Sequence, residues 1–401
     1  MSTAVESTET VSADEAQVIA LCDELLSEYD AATADIHEFL GAQYDKGLAW
    51  VHFPVGWGGL GLSPRLNKIV LERISKAGGP IGAMRNLIGY GMCAPAVVTH
   101  GTDEQKKMLR QLFNCEHIWC QLFSEPGAGS DVASLAMKAE RDGDEWILNG
   151  QKVWTTMAHI SSYGLIVART DPEAPKHRGI TAFIIDIHAP GVEVRPLRQM
   201  TGEAEFNEVY FTDVRVPDSM RVDEVGRGWD VAITTLMNER VSIGGGTPPR
   251  NSGPIGQLLD LWRETGEHSA ADRDEFMRLW IAAEINRLTN LRASAAMKRG
   301  TPGPEGSVSK LAMAEVTKKI YEFAMNLMGA EGMLYSSYDM IRPKSAMFSD
   351  DIWKNFLRAR ANSIEGGTSE VMRNILGERV LGLPGDIRAD KGVPWSQVPR
   401  S

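Results

Sequence analysis

Glu145-Trp146-Ile147-Leu148-Asn149-Gly150-Gln151-Lys152-Val153-Trp154-Thr155-Thr156 is the stretch that sorts this chain into a fold class. Apolar and polar residues alternate over 145–148 and again over 152–155, the period-two pattern of half-buried strands. Asp142-Gly143 in front and Asn149-Gly150 within are hairpin dipeptides, because Asn, Asp and Gly accept a positive φ. Working outward, further strands are predicted at 163–168, 180–187, 192–197 and 208–216, the last ending at Pro217. No helical period intervenes, so the sheet is expected to be antiparallel, a barrel or sandwich.

On both sides the period changes to that of helices. Val18, Leu21, Leu25 and Tyr29 recur at helical spacing within 15–47, as do Leu66, Val70 and Ile74 within 65–77. A further helix is predicted over 103–113, with Thr102 or Asp103 as its N-cap. Beyond Gly226, helices are predicted at 229–243, 308–328, 347–360 and 369–381, punctuated by Pro248, Pro249, Gly300 and the Gly-Pro-rich 302–306. Ile281, Ile285, Leu288, Leu291 and Ala295 form one apolar stripe. The expected fold class is α+β: an N-terminal helical domain (1–117), a middle antiparallel β-barrel or sandwich domain (118–225) and a C-terminal helical bundle (226–401).

Composition narrows function. The 401 residues hold 42 Lys+Arg against 53 Asp+Glu, a net charge of −11. That balance argues against nucleic-acid binding, which needs clustered cations. No apolar run reaches the roughly 18 residues of a membrane span. The polar, acidic N-terminus lacks the pattern of a secretory signal, so a cytoplasmic location is expected. Cys22, Cys93, Cys115 and Cys120 form no CxxC pair and read as buried thiols of a reducing compartment.

Several motifs fall away on context. Gly56-x-Gly58-x-x-Gly61 matches a dinucleotide fingerprint, but Pro54 and helical flanks deny it the strand it needs. No P-loop, zincin or G-x-S-x-G motif occurs, the eight histidines are scattered, and no metal site is expected.

Three segments carry chemistry. In Gln121-Leu122-Phe123-Ser124-Glu125-Pro126-Gly127-Ala128-Gly129-Ser130-Asp131 a strand breaks at Glu-Pro into a small-residue loop whose N–H groups can face an anion. Trp154-Thr155-Thr156 sets an aromatic and two hydroxyls at a strand end. Glu365-Gly366-Gly367-Thr368-Ser369-Glu370 is a glycine hinge with Thr368 as N-cap of the last helix.

With these segments in view the chain resembles the acyl-CoA dehydrogenases. The resemblance rests on 124–131, on Leu148-Asn149-Gly150-Gln151-Lys152-Val153-Trp154, on Glu208-Val209-Tyr210-Phe211-Thr212-Asp213-Val214-Arg215-Val216-Pro217 and on the loop near Pro54. It implies an FAD-dependent oxidation of an acyl-CoA to the 2-enoyl-CoA, with electrons passed to an electron-transferring flavoprotein. Gln121, Phe123, Ser124, Gly129 and Ser130 would line the flavin, Trp154 would cover one side of it, and Thr155 and Thr156 would sit beside it. Thr368 and Glu370 would touch its adenosine or pyrophosphate portion. Ser130 would also meet the CoA, and Arg240 would hold the substrate side.

The family takes its base from either of two places. Here Gly366 stands where one branch has Glu, with Glu365 one residue earlier. The other branch uses a Glu-Arg pair at the start of the C-terminal domain, matched by Glu239-Arg240, so Glu239 is the preferred base and Glu365 the alternative. A second departure concerns the neighbouring subunit. Where the family has Arg-x-Thr-Phe-Gly this chain reads Arg263-Glu264-Thr265-Gly266-Glu267-His268, and Gln-x-x-Gly-Gly is Asn326-Leu327-Met328-Gly329-Ala330. The resemblance implies a homodimer or homotetramer. The departures leave open a hetero-oligomer, in which this chain alone has little activity. An O2-using oxidase is a further alternative.

Overall fold

The computed structural model of the chain describes residues 12–244, 247–298, 305–344, 349–385, 387 and 390–398; the side chains of 240–244, 297–298 and 305–306 lie outside that description. Among the described residues six α-helices come first: α1 (Ala13–Glu28), α2 (Ile36–Asp45), α3 (Asn67–Lys76), α4 (Ala94–His100), α5 (Asp103–Lys106) and α6 (Met108–Phe113). Ser12 and Glu15 close a capping box on α1, and Thr102 with Gln105 does the same for α5. The period predicted over 15–47 is interrupted at Tyr29, where the chain turns extended and separates α1 from α2.

Eight strands follow: β1 (Trp119–Leu122), β2 (Lys138–Asp142), β3 (Glu145–Thr156), β4 (Tyr163–Arg169), β5 (Ile180–Asp186), β6 (Val192–Pro196), β7 (Phe206–Pro217) and β8 (Arg221–Val222). They form one sheet in the order β6-β7-β3-β2-β4-β5-β8, with β1 added against β4. On β4, Leu165 and Val167 face the helices while Ile166 and Ala168 face a second core closed by Trp146, Leu148, Phe211 and Val214. Both faces of β4 and β5 are therefore buried, and their sequences run apolar almost without alternation.

Two expectations about this sheet are corrected. It is mixed: β1 runs parallel to β4, Trp119 opposite Tyr163 through Leu122 opposite Ile166, and β2 meets β4 in parallel at Lys138–Arg169. Both strands sit on one edge of β4, and the chain between them must leave the sheet to pass from one to the other. Asn149-Gly150 is also not a hairpin turn. β3 continues through it, because β7 supplies a long partner on the other side, and the dipeptide forms a bulge between Leu148 and Gly150. Gly150 has φ +146°, and a Cβ there would lie 2.9 Å from Met137. Asn149 holds the bulge by exchanging two hydrogen bonds with Asp213, at 2.9 and 3.0 Å.

The chain then returns to helix: α7 (Gly228–Gly244), α8 (Pro254–Glu264), α9 (Ala270–Lys298), α10 (Glu305–Met328), α11 (Ile352–Arg358) and α12 (Ser369–Ile375). Val231 and Ala232 anchor α7 in the core shared by sheet and N-terminal helices. Ile255, Leu258, Phe276, Leu279, Ile320 and Ala324 make a separate core among α8, α9 and α10. The predicted stripe on α9 turns away from it: Ile281, Ile285, Leu288 and Leu291 are 43–59 % exposed. All four cysteines are buried free thiols. Among the described residues no helix is long and apolar enough to cross a membrane, and no His/Cys/Asp/Glu group is placed to hold a metal.

Candidate active site

The 123–137 excursion is where the first site segment lies. β1 pairs with β4 as far as Ile166, β2 takes up the same edge at Arg169, and between them the chain loops outward carrying Ser124 to Ser130. Glu125 and Ala128 close the loop with reciprocal backbone hydrogen bonds at 3.1 and 3.0 Å. Gly127 and Gly129 sit on its rim, and a Cβ at either would meet nothing within 4 Å. The space in front of this turn is open to a ligand approaching the backbone. Phe123 is buried beneath it, Gln121 and Ser124 are half-buried, and Ser130 is exposed.

A buried ion pair holds the turn in place. Lys152, with no exposed surface, donates to Glu125 Oε1 at 2.8 Å and to the Phe123 carbonyl at 3.0 Å. The Glu125 carboxylate also accepts from the backbone N–H of Ala136 and Met137. Burial pushes the Lys152 ammonium below the ordinary lysine value, and the Glu125 charge works against that. Lys152 lies on the inward parity of β3 with Trp146 and Leu148, and a lysine in that register was the available signal for it.

Trp154 stands beside the turn, since the N–H of the preceding Val153 donates to the Ser124 carbonyl at 2.9 Å. The Trp154 backbone is left-handed, φ +59°, an arrangement costing a bulky residue about 1–3 kcal/mol. It lies at a second β3 irregularity, between Lys152 and Thr155, and its ring is 57 % exposed. The indole stands edge-on to Phe206, 5.7 Å between centroids. Thr156 is half-buried, while Thr155 is buried with its hydroxyl oxygen unpartnered among the described residues.

The C-terminal hinge reaches the same region. Arg358, on α11, lies over the Phe206 ring at 5.6 Å and grips both oxygens of Glu365, at 2.7 and 3.0 Å. Trp154, Phe206, Arg358 and Glu365 thus form a continuous chain of contacts from β3 to the hinge. Neither Phe206 nor Arg358 was singled out from sequence, since a Phe before a strand and an Arg in a helix are commonplace. Gly366 and Gly367 have φ +61° and +93° and let the chain turn into α12. Thr368 caps that helix by accepting from the Val371 N–H at 3.1 Å. Glu370 points outward and pairs with Arg373.

Glu239 is half-buried on α7. It faces the field of a lysine that sequence reading missed, Lys310 on α10, which also faces Glu365. Arg240 lies within α7, but its side chain is outside the described residues. Arg263 to His268 end α8 differently from the expected pattern: the His268 ring stacks on Trp262 at 3.5 Å, and Trp262 stacks in turn on Phe276.

The three-part order of domains recurs in known proteins. Residues 15–116, 120–214 and 226–381 match the acyl-CoA dehydrogenase N-terminal, middle and C-terminal domain families. The chain is 39 % identical over 344 residues to acyl-CoA dehydrogenase FadE34 of Mycobacterium tuberculosis, covering 85 % of this chain but 45 % of that one. It therefore spans under half the length of that relative. Acyl-CoA dehydrogenase IpdE1 of the same organism is 36 % identical over 344 residues, covering 84 % of this chain and 85 % of its own. Among solved structures, the ChsE4-ChsE5 complex from M. tuberculosis superposes with TM-score 0.69 at 26 % identity, covering 96 % of this chain and all of that one. The Tcur3481-Tcur3483 steroid ACAD shares the fold, with TM-score 0.70 at 24 % identity over 93 % of this chain and 98 % of that one. With all three domains matched in order, the chain belongs to the acyl-CoA dehydrogenase family of oxidoreductases.

Proposed function

We propose that this chain takes FAD between the 121–130 turn, Trp154 and the 365–370 hinge, and oxidises an acyl-CoA thioester to its 2-enoyl-CoA. The observation that carries the reading is Trp154: a large apolar ring held exposed, on a strained backbone, at the lip of an open glycine turn. These residues fit a long, flat, anionic ligand. Phe123 and Ser124 would hold its ring edge, Gly129 and Ser130 its phosphates, and Thr156 the face beside Trp154. When bound, the flavin supplies the acceptor for the hydride leaving the β-carbon.

The chain's own residues supply the proton chemistry. An α-proton is too weak an acid for water, so a carboxylate must meet it in a dry pocket. Glu239 is the base in this reading. Both oxygens of Glu365 accept from the Arg358 fork, and that pairing gives it the work of joining hinge to β domain. Electrons would pass on to an electron-transferring flavoprotein.

The apolar α9 stripe, exposed in one chain, supports assembly with a second chain of the same family. The likeness to ChsE4-ChsE5 favours a non-identical partner, and the replaced Arg-x-Thr-Phe-Gly pattern agrees with that. The test is to express the chain alone and with candidate partner chains, record the flavin spectrum, and add a panel of acyl-CoAs. Bleaching of bound flavin that Glu239→Gln abolishes and Glu365→Gln leaves largely intact supports the reading. A purified protein that binds no flavin under any of these conditions defeats it.

A further inference from the structure

Lys310 stands near the start of α10 with only 4 % of its surface exposed. A lysine that deep is costly unless its ammonium is well used. Its two hydrogen bonds go to backbone carbonyls: Asn362 O at 3.0 Å and Gly367 O at 2.5 Å. Those carbonyls bracket the turn that carries Glu365 and Gly366 into α12. One side chain thus ties both ends of the hinge to α10. A second tie lies one helical turn and a half further along, where Ser369 donates to Glu315 at 2.8 Å.

Four carboxylates act on Lys310. Glu239 faces it from α7, Glu315 from its own helix, Glu365 from the hinge and Glu370 from α12. Arg358 neutralises Glu365 by its fork, Lys318 contacts Glu315, and Arg373 pairs with Glu370. Among these carboxylates Glu239 is the one proposed to take the α-proton, and the ammonium of Lys310 acts on it electrostatically. Burial pushes the lysine below its ordinary value while the four carboxylates pull it back.

We propose that Lys310 is a positioning residue of the active site: it fixes the 362–367 hinge and provides the positive field in which Glu239 accepts its proton. This rests on the reading of Glu239 as base, and the experiment separates the two. Lys310→Gln keeps an amide NH2, with two N–H donors, near the hinge but removes the charge, and Lys310→Arg keeps the charge. The readouts are the pH profile of kcat/KM and, on the flavin-free protein, hydrogen exchange at amides 365–372.

In Lys310→Gln the acid limb of the profile is expected to move up by about one pH unit, because loss of a nearby positive charge makes a carboxylate hold its proton longer. Exchange at 365–372 rises, and Lys310→Arg returns the limb to its original place. An unmoved limb in Lys310→Gln, or equal displacement in both variants, overturns the proposal. Failure of both variants to fold also overturns it, since the lysine would then serve the fold at large. If Glu239→Gln retains full activity, the assignment of the base has failed instead, and the exchange result alone judges the hinge.

Discussion

Replacing Lys152 by Met removes the cation under the candidate flavin turn while keeping most of the side-chain volume. Two groups lose their donor. The Phe123 carbonyl goes unpaired, at about 1 kcal/mol, and the Glu125 carboxylate, 8 % exposed, keeps only its two backbone N–H donors. Breaking a buried pair from one side costs about 3–5 kcal/mol. With a urea slope of about 1–3 kcal/mol/M, the unfolding midpoint should fall by more than about 1 M. Glu125→Gln should cost less, because the amide oxygen can still accept from Lys152. The double variant Lys152→Met/Glu125→Gln should lie about 2 kcal/mol above the sum of the singles, since the stranded charge is gone. Urea unfolding followed by tryptophan fluorescence gives all four corners of the cycle. Because Phe123 and Glu125 set the position of the turn, Lys152→Met should also lose affinity for FAD. A midpoint change below about 0.3 M, or strictly additive singles, would refute the claim that this pair anchors the site.

Gly129→Val should leave the melting temperature of the flavin-free protein almost unchanged, within about 0.5 kcal/mol, because the added atoms enter open space; an FAD titration should nevertheless show binding lost. Asp218, held by Arg221 and by the Trp146 N–H, is pulled down to about 2. Its stabilising contribution is complete above the ordinary carboxylate value and is lost as pH falls from about 4 to about 2, by roughly 1–2 kcal/mol after allowance for partial exposure. Acid unfolding curves of Asp218→Asn and the parent should therefore converge at the lowest pH and separate above pH 4. Burial pushes the Cys22 thiol to about 11 and Cys120 to about 12, so a thiol reagent should titrate essentially none of the four cysteines in the native protein and all of them in urea.

Much of this protein was written in one dimension. The change from helical to strand period and back gave the three-part order, because periodicity reports which face is buried. The Glu-Pro-Gly-Ala-Gly-Ser run gave the turn, and Gly-Gly-Thr gave the hinge and its cap, because such residues restrict the backbone locally. What sequence could not contain is decided by partners distant along the chain. Asn149-Gly150 has the chemistry of a hairpin, yet β7 on its far side kept β3 whole and made it a bulge. The parallel pairing of β1 is set by its distant partner β4, and the α9 stripe, which any period analysis would place inward, faces out because Phe276 and Leu279 occupy the core. The charged contacts of Lys152, Arg358 and Lys310 span 27, 7 and 52–57 residues. Local composition fixes which backbone shapes are cheap, whereas the placement of a buried charge depends on which distant carbonyl or carboxylate folding brings within 3 Å.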